Sequence, residues 1–438
     1  MTDVLTDRTA GADRPFGTAD SSAGTDERPA FSDITTIRIG GSIRRFVQPT
    51  SEDAFVDAVR AADAAGDRLC VIGGGSNMLV SDSPFDGTVV RDARRGVDVL
   101  ATPGSAPHRV GEDAAVTAQA GVNWDDFVAF SVEQGLEGIE GLSGIPGTVG
   151  ASVVQNIGAY GQEVASSVSK VRVWDRQESC IRTLDARDLR FGYRTSSLKT
   201  TMYTGSPQVR ETTAWFPTPR FIVLEVTYVL HADDHGTVGA GQLAHALGVE
   251  VGARMGLAQI REAVLKVRAG KDMLEDPTRY ANRWMAGTKA LSADCLANLP
   301  TEPNHNRWSC GSFFINPVVT ATHAQRYLDG APQYPVQLPD GTTGVKTSAA
   351  WLIDHAGFHR GFTLADYSSD PLRTAAGTDA QMQRCALSHA GLSTVHTLAL
   401  TNRGGARFDD VMHLAARIQQ GVEDRFGIRL VPEPVIVR

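Results

Sequence analysis

The sequence predicts an α+β fold in two halves, with residues 31–230 forming the first half and residues 231–438 the second. Two observations support this division. Segments with the apolar alternation of β-strands are frequent in the first half, and residues 221–230 form a long one near its end. In the second half, several segments instead carry apolar residues at helical spacing. The first half also contains two glycine-rich stretches, which predict loops and not regular elements.

The first elements can be placed from their boundary residues. Residues 35–41 are predicted to form a short strand that enters a turn. Thr50 and Asp53 have the spacing of a capping box, which predicts a helix that continues through Asp63. Gly66 is then the residue expected to end this helix.

A strand over residues 68–72 leads into residues 73–77, the Gly-Gly-Gly-Ser-Asn sequence that forms the first glycine loop. This loop lacks the G-x-G-x-x-G spacing of the dinucleotide fingerprint, and Pro84 follows too soon for a long helix. Alone, such a loop is as compatible with a simple turn as with a binding site. Paired with a second glycine loop, it predicts two arms that hold one extended, phosphate-bearing ligand.

The second glycine loop, residues 135–161, has glycine at every third position from 135 to 150. A collagen-like helix is excluded because the run is short and holds only one proline. An α-helix is disfavoured because each interior glycine costs about 1 kcal/mol. Leucine, isoleucine and valine are interspersed, unlike in polar Gly/Ser linkers. The stretch is therefore interpreted as a packed loop whose backbone approaches a ligand.

The remaining elements follow in order along the chain. Asn123 predicts the start of a helix over 124–134, and residues 221–230 predict the strand that closes the first half. Residues 277–308 are irregular, and a loop of that length is either functional or an insertion. Two prolines flank Glu433, so the last strand is expected at a sheet edge. Helices are predicted in the second half over 241–248, 257–270, 348–356 and the segment with Val411, Leu414, Ile418, Val422 and Phe426.

Composition limits the class of protein. The formal net charge is −8 and no run of lysine and arginine occurs, so no nucleic-acid partner is expected. The five cysteines form no CxxC pair, so neither a metal site nor a disulfide framework is predicted. The chain lacks both an apolar stretch of about 18 residues and a signal-peptide core, which predicts no membrane insertion and a cytoplasmic location. Residues 1–30 are predicted to be a disordered tail.

Four polar residues stand in unusual surroundings. Arg194 follows an aromatic residue, Ser312 precedes two phenylalanines, Glu433 lies between two prolines, and Lys346 lies in a Gly/Thr/Ser segment. Each has an ordinary explanation as a surface ion pair, a turn or a solvated charge. The G-x-S-x-G and H-E-x-x-H motifs of serine hydrolases and metalloproteases are absent. Since side-chain chemistry is sparse, the sequence favours a reaction carried by a bound cofactor.

Six stretches, in family order, resemble the UDP-N-acetylenolpyruvoylglucosamine reductases, the MurB family. One shared glycine loop would be weak support, whereas six ordered motifs from about residue 31 to 438 are specific. The six are Gly73 to Asn77; Ile145-Pro146-Gly147-Thr148-Val149-Gly150 with Gln155 to Gly161; Phe191 to Arg194; Gly311 to Pro317; Ala350 to Asp354; and Pro432-Glu433.

The resemblance implies a two-lobed FAD-binding domain of the vanillyl-alcohol-oxidase (PCMH) type, with lobes at about 31–95 and 96–230. An α+β substrate domain would follow over 231–438, with a long insert at about 277–308 and a last strand, 428–438, returning to the active site. FAD would be the cofactor and NADPH the co-substrate in reducing UDP-N-acetylglucosamine enolpyruvate to UDP-N-acetylmuramate for peptidoglycan synthesis. The implied FAD contacts are Gly73, Gly74, Gly75, Ser76, Asn77, Gly141, Ile145, Gly147, Thr148, Gly150 and Ile157.

The resemblance also implies three catalytic residues. Arg194, a planar and fixed cation, would bind the charge that hydride addition builds on the pyruvyl carboxylate. Ser312 would give a proton to the adjacent carbon, which requires a charged neighbour or a water chain. Glu433 would lie at the same end, either protonated or paired with Arg194. Further substrate contacts would come from Arg268, Lys271, Asn316 and Lys346.

The chain departs from the family pattern at one position. One branch of the family has a tyrosine that closes over the substrate diphosphate, and Ala240 stands at that position here. We expect another aromatic residue to take this role, with Tyr280, Trp284 and Trp308 as candidates. In this hypothesis the insert 277–308 folds over the substrate.

Two other functions stay open at this point. An oxidase of the same fold, acting on a sugar or alcohol, often holds its flavin through histidine or cysteine, and the flavin loops here offer no obvious histidine anchor. A non-catalytic nucleotide-binding module would not need Arg194, Ser312 and Glu433 together. The preference for NADPH over NADH and the expected monomeric state rest on the resemblance alone.

Overall fold

The computed structural model describes residues 28–100, 111–205, 218–337, 341–365 and 389–438. Nearly all of the predicted N-terminal tail, residues 1–27, lies outside these ranges. Among the described residues, no helix is both long enough and apolar enough to cross a bilayer.

The first lobe is a small parallel sheet. Strand β4 lies between β1 and β2 and runs parallel to both. Helix Glu52–Ala65 connects β1 to β2 and buries Phe55 and Val59 against the sheet. Gly66 ends this helix with a φ of 65°, as predicted. The strands are β1 (Ile43–Val47), β2 (Arg68–Val71), β3 (Met78–Val80) and β4 (Phe85–Val90).

Two boundary predictions in this lobe are wrong. Residues 35–41 form no strand, because their polar groups bond to distant loops: the Thr36 amide donates to the Gly75 carbonyl at 3.0 Å and its hydroxyl donates to the Ser309 carbonyl at 2.6 Å. The cap of the first long helix is Ser51, whose hydroxyl accepts from the Ala54 amide, and not Thr50.

The second lobe is an antiparallel sheet with the strand order β11-β10-β12-β6-β5. Its central strand β12 buries the five alternating residues that predicted it. Helix Trp124–Glu133, capped by the Asn123 side chain as predicted, covers one face, and Phe127 packs on Tyr228 with ring centroids 4.8 Å apart. The strands of this region are β5 (Val97–Leu100), β6 (Asp113–Gln119), β7 (Leu136–Glu137), β8 (Gly158–Ala159), β9 (Gln162–Glu163), β10 (Val168–Asp175), β11 (Cys180–Asp185) and β12 (Phe221–Ala232).

The second glycine loop packs into this lobe, as predicted. Its regular elements are all short: the two-residue strands β7 and β8 and the helical turns Glu140–Leu142 and Val149–Ser152. Leu142, Val149 and Val153 are fully buried and anchor the loop in the lobe's core. Its later glycines, which include Gly147 and Gly150, face the space between the lobes.

Two helices follow the second lobe. Strands β13 (His235–Thr237) and β14 (Arg254–Gly256) pair antiparallel, with helix Gly241–Leu247 between them in the chain. Helix Leu257–Ala269 follows β14 and packs on helix Gly241–Leu247. The helices themselves match the predicted segments within a residue.

The C-terminal domain has a three-stranded antiparallel sheet in the order β15-β17-β16 and a hairpin of β18 and β19. Its core forms around the long helix Phe408–Phe426, which buries every apolar residue that predicted it. The strands are β15 (Val318–Thr320), β16 (Gln333–Gln337), β17 (Thr343–Thr347), β18 (Ala390–Leu392) and β19 (Leu400–Asn402), and the other helices are Ala321–Tyr327 and Ala349–His355.

The chain ends in the first lobe and not in the C-terminal domain. Strand β20 (Val435–Val437) pairs in parallel with β3, and the Ser81 amide donates to the Val437 carbonyl at 2.8 Å. Because Glu433 directly precedes this strand, the pairing brings its side chain to the first glycine loop.

The insert 277–308, expected to fold over the substrate, packs much of its length against the first lobe. It contains turns at Pro277–Ala281 and His305–Arg307 and a short helix Ala293–Ala297. Its Tyr280 and Met285 are buried in the core of the first lobe, which explains why this irregular segment carries large apolar side chains.

Candidate active site

A cavity of about 880 Å³ lies between the two lobes and the C-terminal domain. Ligand pockets span roughly 300–1,000 Å³, so this one can accept a large ligand. Most residues predicted as site residues line it: Gly73, Gly74, Gly75, Ser76, Asn77, Ile145, Gly147, Thr148, Gly150, Ile157, Arg194, Arg268, Lys271, Ser312, Asn316 and Glu433.

The two glycine loops touch each other at one side of the cavity. A Cβ on Gly74 would lie 2.8 Å from the Cα of Gly147, closer than such atoms approach in proteins. The Ser76 hydroxyl donates to the Pro146 carbonyl at 2.8 Å, which fixes the contact. Gly75 has a φ of 64°, and a Cβ there would lie 2.2 Å from the Ile34 carbonyl oxygen. Glycine is thus required by the close approach of two backbones, which leaves their amides accessible to a diphosphate.

Two predicted residues do not line this cavity. Gly141 lies in the buried turn Glu140–Leu142, where its amide donates to the Gln162 side chain at 2.7 Å. Its glycine is explained by that contact, since a Cβ would lie 2.7 Å from the same amide oxygen. Lys346 lies on β17, and its ammonium is 4.8 Å from the centre of the Tyr193 ring.

Arg194 has a left-handed backbone, with φ at 54°. Such a conformation is costly for a residue with a side chain, so neighbouring contacts must stabilise it. Gly192 and Thr195 exchange two backbone hydrogen bonds around it. The Lys199 ammonium donates to the Arg194 carbonyl at 3.2 Å. These contacts turn the guanidinium into the cavity.

Arg194 forms an ion pair with Glu433, with 3.1 Å between Nε and Oε1. Its other two nitrogens donate to the backbone carbonyls of Gly158, at 3.0 Å, and Asn156, at 3.4 Å. Gln155 donates to Glu433 at 3.3 Å and accepts from Asn77 at 2.8 Å. A polar chain therefore connects the first glycine loop to the two predicted catalytic charges.

Burial controls the charge of Glu433, of whose side chain only 12% is exposed. Desolvation raises the pKa of this carboxyl above its usual value, and the charges of Arg194 and Lys199 only partly oppose that shift. Burial lowers the pKa of Lys199, because desolvation disfavours the charged form of a lysine just as it disfavours that of a carboxyl. The site therefore holds an acid that is easily protonated next to a permanent cation.

Ser312 is placed by the same segment that places Glu433. The Glu433 amide donates to the Phe313 carbonyl at 2.9 Å, and Phe314 bridges to Pro432. Phe313 and Phe314 are fully buried, so they anchor this pairing in the C-terminal core. The serine hydroxyl and the carboxylate consequently face the cavity from adjacent segments.

The predicted substrate residues cover another part of the wall. Arg268 is buried and donates to the carbonyls of Gly144 and Met273, at 3.0 and 2.8 Å. The Lys271 ammonium donates to the side chain of Gln242 at 2.9 Å. Asn316 accepts from the Ala349 amide at 2.9 Å. These internal bonds fix Arg268 and Asn316 in place, whereas Lys271 is bound to a single side chain on the rim.

Tyr280, Trp284 and Trp308, proposed as replacements for the missing tyrosine, do not line this cavity. Tyr280 and Trp284 pack in the first lobe, and the Trp308 indole donates to Asp276. Tyr160 and Tyr334 line the cavity instead, and Tyr160 packs with Ala240 in one apolar cluster and is hydrogen-bonded to Arg268.

Sequence reasoning missed Tyr334, although a signal for it was available. Asp340-Gly341, a dipeptide typical of hairpin turns, lies midway between residues 334 and 346. The structure pairs Tyr334 directly opposite Lys346. Gln155 and Lys199 were also missed as site residues, since their contacts are with residues distant in sequence or with backbone atoms.

The chain is similar in sequence to known protein families and to curated proteins. Residues 43–184 match the family described as FAD binding domain, and residues 377–437 match the family described as UDP-N-acetylenolpyruvoylglucosamine reductase, C-terminal domain. The UDP-N-acetylenolpyruvoylglucosamine reductase of Cutibacterium acnes is 39% identical over 96% of this chain and 92% of its own. That of Mycobacterium tuberculosis is 38% identical over 94% and 95%.

One solved structure has the same fold over nearly its whole length. The crystal structure of UDP-N-acetylenolpyruvylglucosamine reductase (MurB) from Thermus caldophilus matches with a TM-score of 0.51 and 20% identity. The match covers 94% of this chain and 98% of that one.

Proposed function

The chain belongs to the UDP-N-acetylenolpyruvoylglucosamine reductase (MurB) family, and we propose that Arg194, Ser312 and Glu433 carry out its reaction in the cavity described above. It is an FAD-dependent oxidoreductase of peptidoglycan synthesis that uses NADPH to reduce UDP-N-acetylglucosamine enolpyruvate to UDP-N-acetylmuramate. The convergence of these three side chains beside the glycine loops is the observation that carries the proposal.

The glycine loops fit the family's cofactor. Gly73 to Asn77 and Ile145 to Gly150 would hold FAD through backbone amides, because Gly74 and Gly147 meet without side chains of their own at the contact of the two loops. When bound, FAD would supply the hydride chemistry that links NADPH to the enolpyruvyl group of the substrate.

Arg194 supplies the charge that this transfer requires. Adding a hydride to an enolpyruvyl group places negative charge on the carboxylate end, where a fixed cation stabilises it more than it stabilises the substrate. The guanidinium is held ready because its partners are one carboxylate and two backbone carbonyls. A substrate carboxylate would replace the carbonyls, since an ionised acceptor bonds more strongly than a neutral one.

Glu433 and Lys199 set the charge around Arg194. A second carboxylate entering this site favours the protonated form of Glu433, whose pKa burial already raises. Protonation would release Arg194 from the ion pair just when the substrate needs it. Lys199 fixes the Arg194 backbone through the carbonyl bond and keeps a second cation nearby.

Ser312 is the proton donor in this proposal. It reaches the cavity from the segment paired with Glu433, so hydroxyl and carboxyl share one end of the site. A serine hydroxyl is a weak acid, and a cationic neighbour such as Arg194 lowers the cost of its transient ionisation.

The nucleotide end would be bound by residues on the opposite wall. Lys271 has a single side-chain partner and lines the cavity, so it suits a diphosphate. Tyr334 lines the rim with 56% of its surface exposed, and Lys346 lies opposite it on the neighbouring strand. Together with Arg268, Asn316 and Tyr160, these residues would contact the sugar nucleotide in place of the tyrosine replaced by Ala240.

We also propose that the protein works as a monomer in the cytoplasm. The three proposed catalytic residues line one cavity without a residue from a second chain, which supports the monomer. The location follows from the family assignment alone.

Anaerobic stopped-flow spectroscopy tests the function and the role of Arg194 together. The enzyme is reduced with one equivalent of NADPH, the enolpyruvyl sugar nucleotide is added, and the return of the oxidised flavin band is timed. We expect rapid reoxidation, and in Arg194→Met a reoxidation slower by about 10²–10³-fold with flavin content unchanged. Arg187→Met, at an exposed arginine of the same lobe, is the control.

Two outcomes would contradict the proposal. Flavin that stays reduced until air is admitted would favour an oxidase of the same fold. Equal reoxidation rates in Arg194→Met and in the wild type would remove Arg194 from the mechanism and leave the substrate assignment intact.

A further inference from the structure

A second, very small void lies directly behind the glycine loops. Its volume is about 10 Å³, roughly the space of one water molecule. Gly73, Gly74, Gly147 and Thr148 line both this void and the main cavity, so the loops form the wall between them. The far side of the void contains charged side chains that the proposed reaction does not use.

These charges are held by residues 275–291, which we call the strap. On the first lobe, Arg279 in the strap donates to the carbonyls of Gly74 and Ile34, at 2.8 and 3.0 Å. Trp284 packs edge-on against Phe46 with ring centroids 5.8 Å apart. The strap thus bonds directly to the first glycine loop.

The strap also bonds to the second lobe. The Lys289 ammonium is 3.0 Å from a carboxylate oxygen of Asp125, and the Ala290 amide donates to Asp126 at 2.7 Å. Asp125 in turn accepts from the amide of Gly144, in the second glycine loop, at 2.7 Å. One segment therefore connects both arms of the cofactor cradle.

Two arginines beneath the strap form no ion pair within 4 Å among the described residues, and only Arg95 is acted on by carboxylates farther away, those of Asp92 and Asp126. Arg91 donates to the Met285 sulfur at 2.7 Å and to the Trp284 carbonyl, and Arg95 donates to the backbone carbonyls of Asp92 and Arg94. By contrast, Arg94 pairs with Asp92 at 2.8 Å, and Arg279 pairs with Glu275 at 2.6 Å. The Nε atoms of Arg91, Arg95 and Arg279 are buried and lack a partner within the described ranges.

The electrostatics agree with this geometry. Burial lowers the pKa of Arg91 to about 9, and the nearby cations Arg95 and Arg279 lower it further. A buried charge without an ion-pair partner, such as that of Arg91, is costly to a fold, so its presence calls for a counter-ion. A dianionic diphosphate on the other side of a glycine wall would supply one.

We propose that Arg91, Arg95 and Arg279, held in place by the strap, form a cationic backing that binds the FAD diphosphate through the glycine loops. The inference rests on the FAD dependence of the family and adds residues behind the loops: Arg279 bonds to Gly74, and Arg91 and Arg95 line the void on the far side of the loops. The loop amides orient the diphosphate, and the arginines provide the net positive charge that the backbone lacks.

The test measures binding to apoprotein by fluorescence titration, with FAD, ADP and riboflavin as separate probes. Removing one positive charge in Arg91→Met or Arg95→Met should weaken FAD and ADP binding on the order of tenfold. A unit charge at about 10 Å produces such a change at an effective dielectric constant of about 20. Riboflavin has no diphosphate, so its affinity should stay within about twofold. Arg91→Lys keeps the charge and should retain most of the FAD affinity.

Arg176→Met is the matched control, because this buried arginine of the second lobe pairs with Asp63 away from the loops.

Near-identical FAD affinity in Arg91→Met, Arg95→Met and the wild type would overturn the proposal. An equal loss of FAD and riboflavin affinity would also overturn it, since that pattern reports a distorted loop and not a lost charge. If Arg91→Met does not fold, Arg95→Met alone decides, because its side chain is only half-buried. Failure of the wild-type apoprotein to bind FAD would instead refute the function itself.

Discussion

At the residue scale, the most informative group is Glu433, a largely buried carboxyl that is paired with the arginine it is proposed to release. Desolvation raises its pKa although Arg194 and Lys199 favour the ionised form, so burial outweighs attraction. In the free enzyme the ion pair with Arg194, at 3.1 Å, keeps the guanidinium oriented. The same carboxyl is poised to take up a proton when a second anion arrives.

The pKa of Glu433 predicts how stability depends on pH. Because its pKa is raised by folding, its contribution is fully present below the unfolded value and is lost as pH rises through the folded value. Glutamine imitates the neutral form and cannot ionise. As pH rises from 4 to 8, the unfolding free energy of the wild type should therefore fall relative to that of Glu433→Gln.

Urea unfolding at the two pH values measures this difference directly, since all other titrating groups are common to both proteins. Glu163→Gln serves as the control for the substitution itself, because that carboxylate accepts from the Asn156 side chain nearby. A difference that stays constant or moves against the Glu433 variant would show that folding does not raise the pKa of Glu433.

The residues proposed for the reaction were predictable from sequence only as members of motifs. Arg194, Ser312 and Glu433 were found because they stand in ordered stretches that resemble a family, and the structure places all three in one cavity. Gln155 and Lys199 were not predicted as site residues, because a glutamine between Asn77 and Glu433, or a lysine on a backbone carbonyl, is defined by tertiary contacts alone.

At the scale of elements, the two glycine loops show that a loop can be as tightly packed as a strand. Their backbones meet at Gly74 and Gly147, while Val149 and Val153 anchor the second loop in the core. A loop held in this way offers amides at fixed positions, which lowers the conformational entropy lost when a phosphate-bearing ligand binds.

This contact makes Gly74→Ala a sharp test of the cradle. The added methyl would lie 2.8 Å from the Gly147 Cα, and neither backbone can move away without shifting its loop. We expect the variant to fold but to bind FAD at least tenfold more weakly, or about 1.4 kcal/mol, in a fluorescence titration of the apoprotein. Gly241→Ala, at a helix start with no atom within 4 Å of the new methyl, should bind FAD normally. Unchanged affinity in Gly74→Ala would mean that the loops do not hold the cofactor at this contact.

Elements were predictable where one local pattern decides them. The strand Phe221–Ala232 and the helix Phe408–Phe426 follow their apolar periodicity, and both formed as expected. Residues 35–41 look like a strand locally but give their hydrogen bonds to Gly75 and Ser309. The insert was misread for the same reason, since Tyr280 and Trp284 pack in the first lobe's core and the Trp308 indole bonds to Asp276.

At the scale of the whole molecule, the chain order does not match the spatial order of its parts. The division at residue 230 follows the sequence pattern, yet later segments complete the first lobe. The strap contributes Tyr280 and Met285 to its core, and the last strand contributes Val437. Strand β20 also brings Glu433, which lies two residues before it, beside the first glycine loop, about 350 residues earlier in the chain.

This arrangement predicts that residues 28–230 do not fold alone into an FAD-binding unit. Each fully buried apolar side chain contributes roughly 1.5–3 kcal/mol, so losing Tyr280, Met285 and Val437 removes an amount comparable with the total stability of a domain, about 5–15 kcal/mol. The fragment also loses the strap, which bonds to the first glycine loop directly and to the second through Asp125.

We expect a fragment of residues 28–230 to show no cooperative unfolding transition and no saturable FAD binding, with residues 28–438 as the control. Adding the complementary fragment 231–438 should restore both properties. A fragment 28–230 that unfolds cooperatively and binds FAD as tightly as the control would show that the lobe is self-sufficient and that the strap and β20 serve only the C-terminal domain.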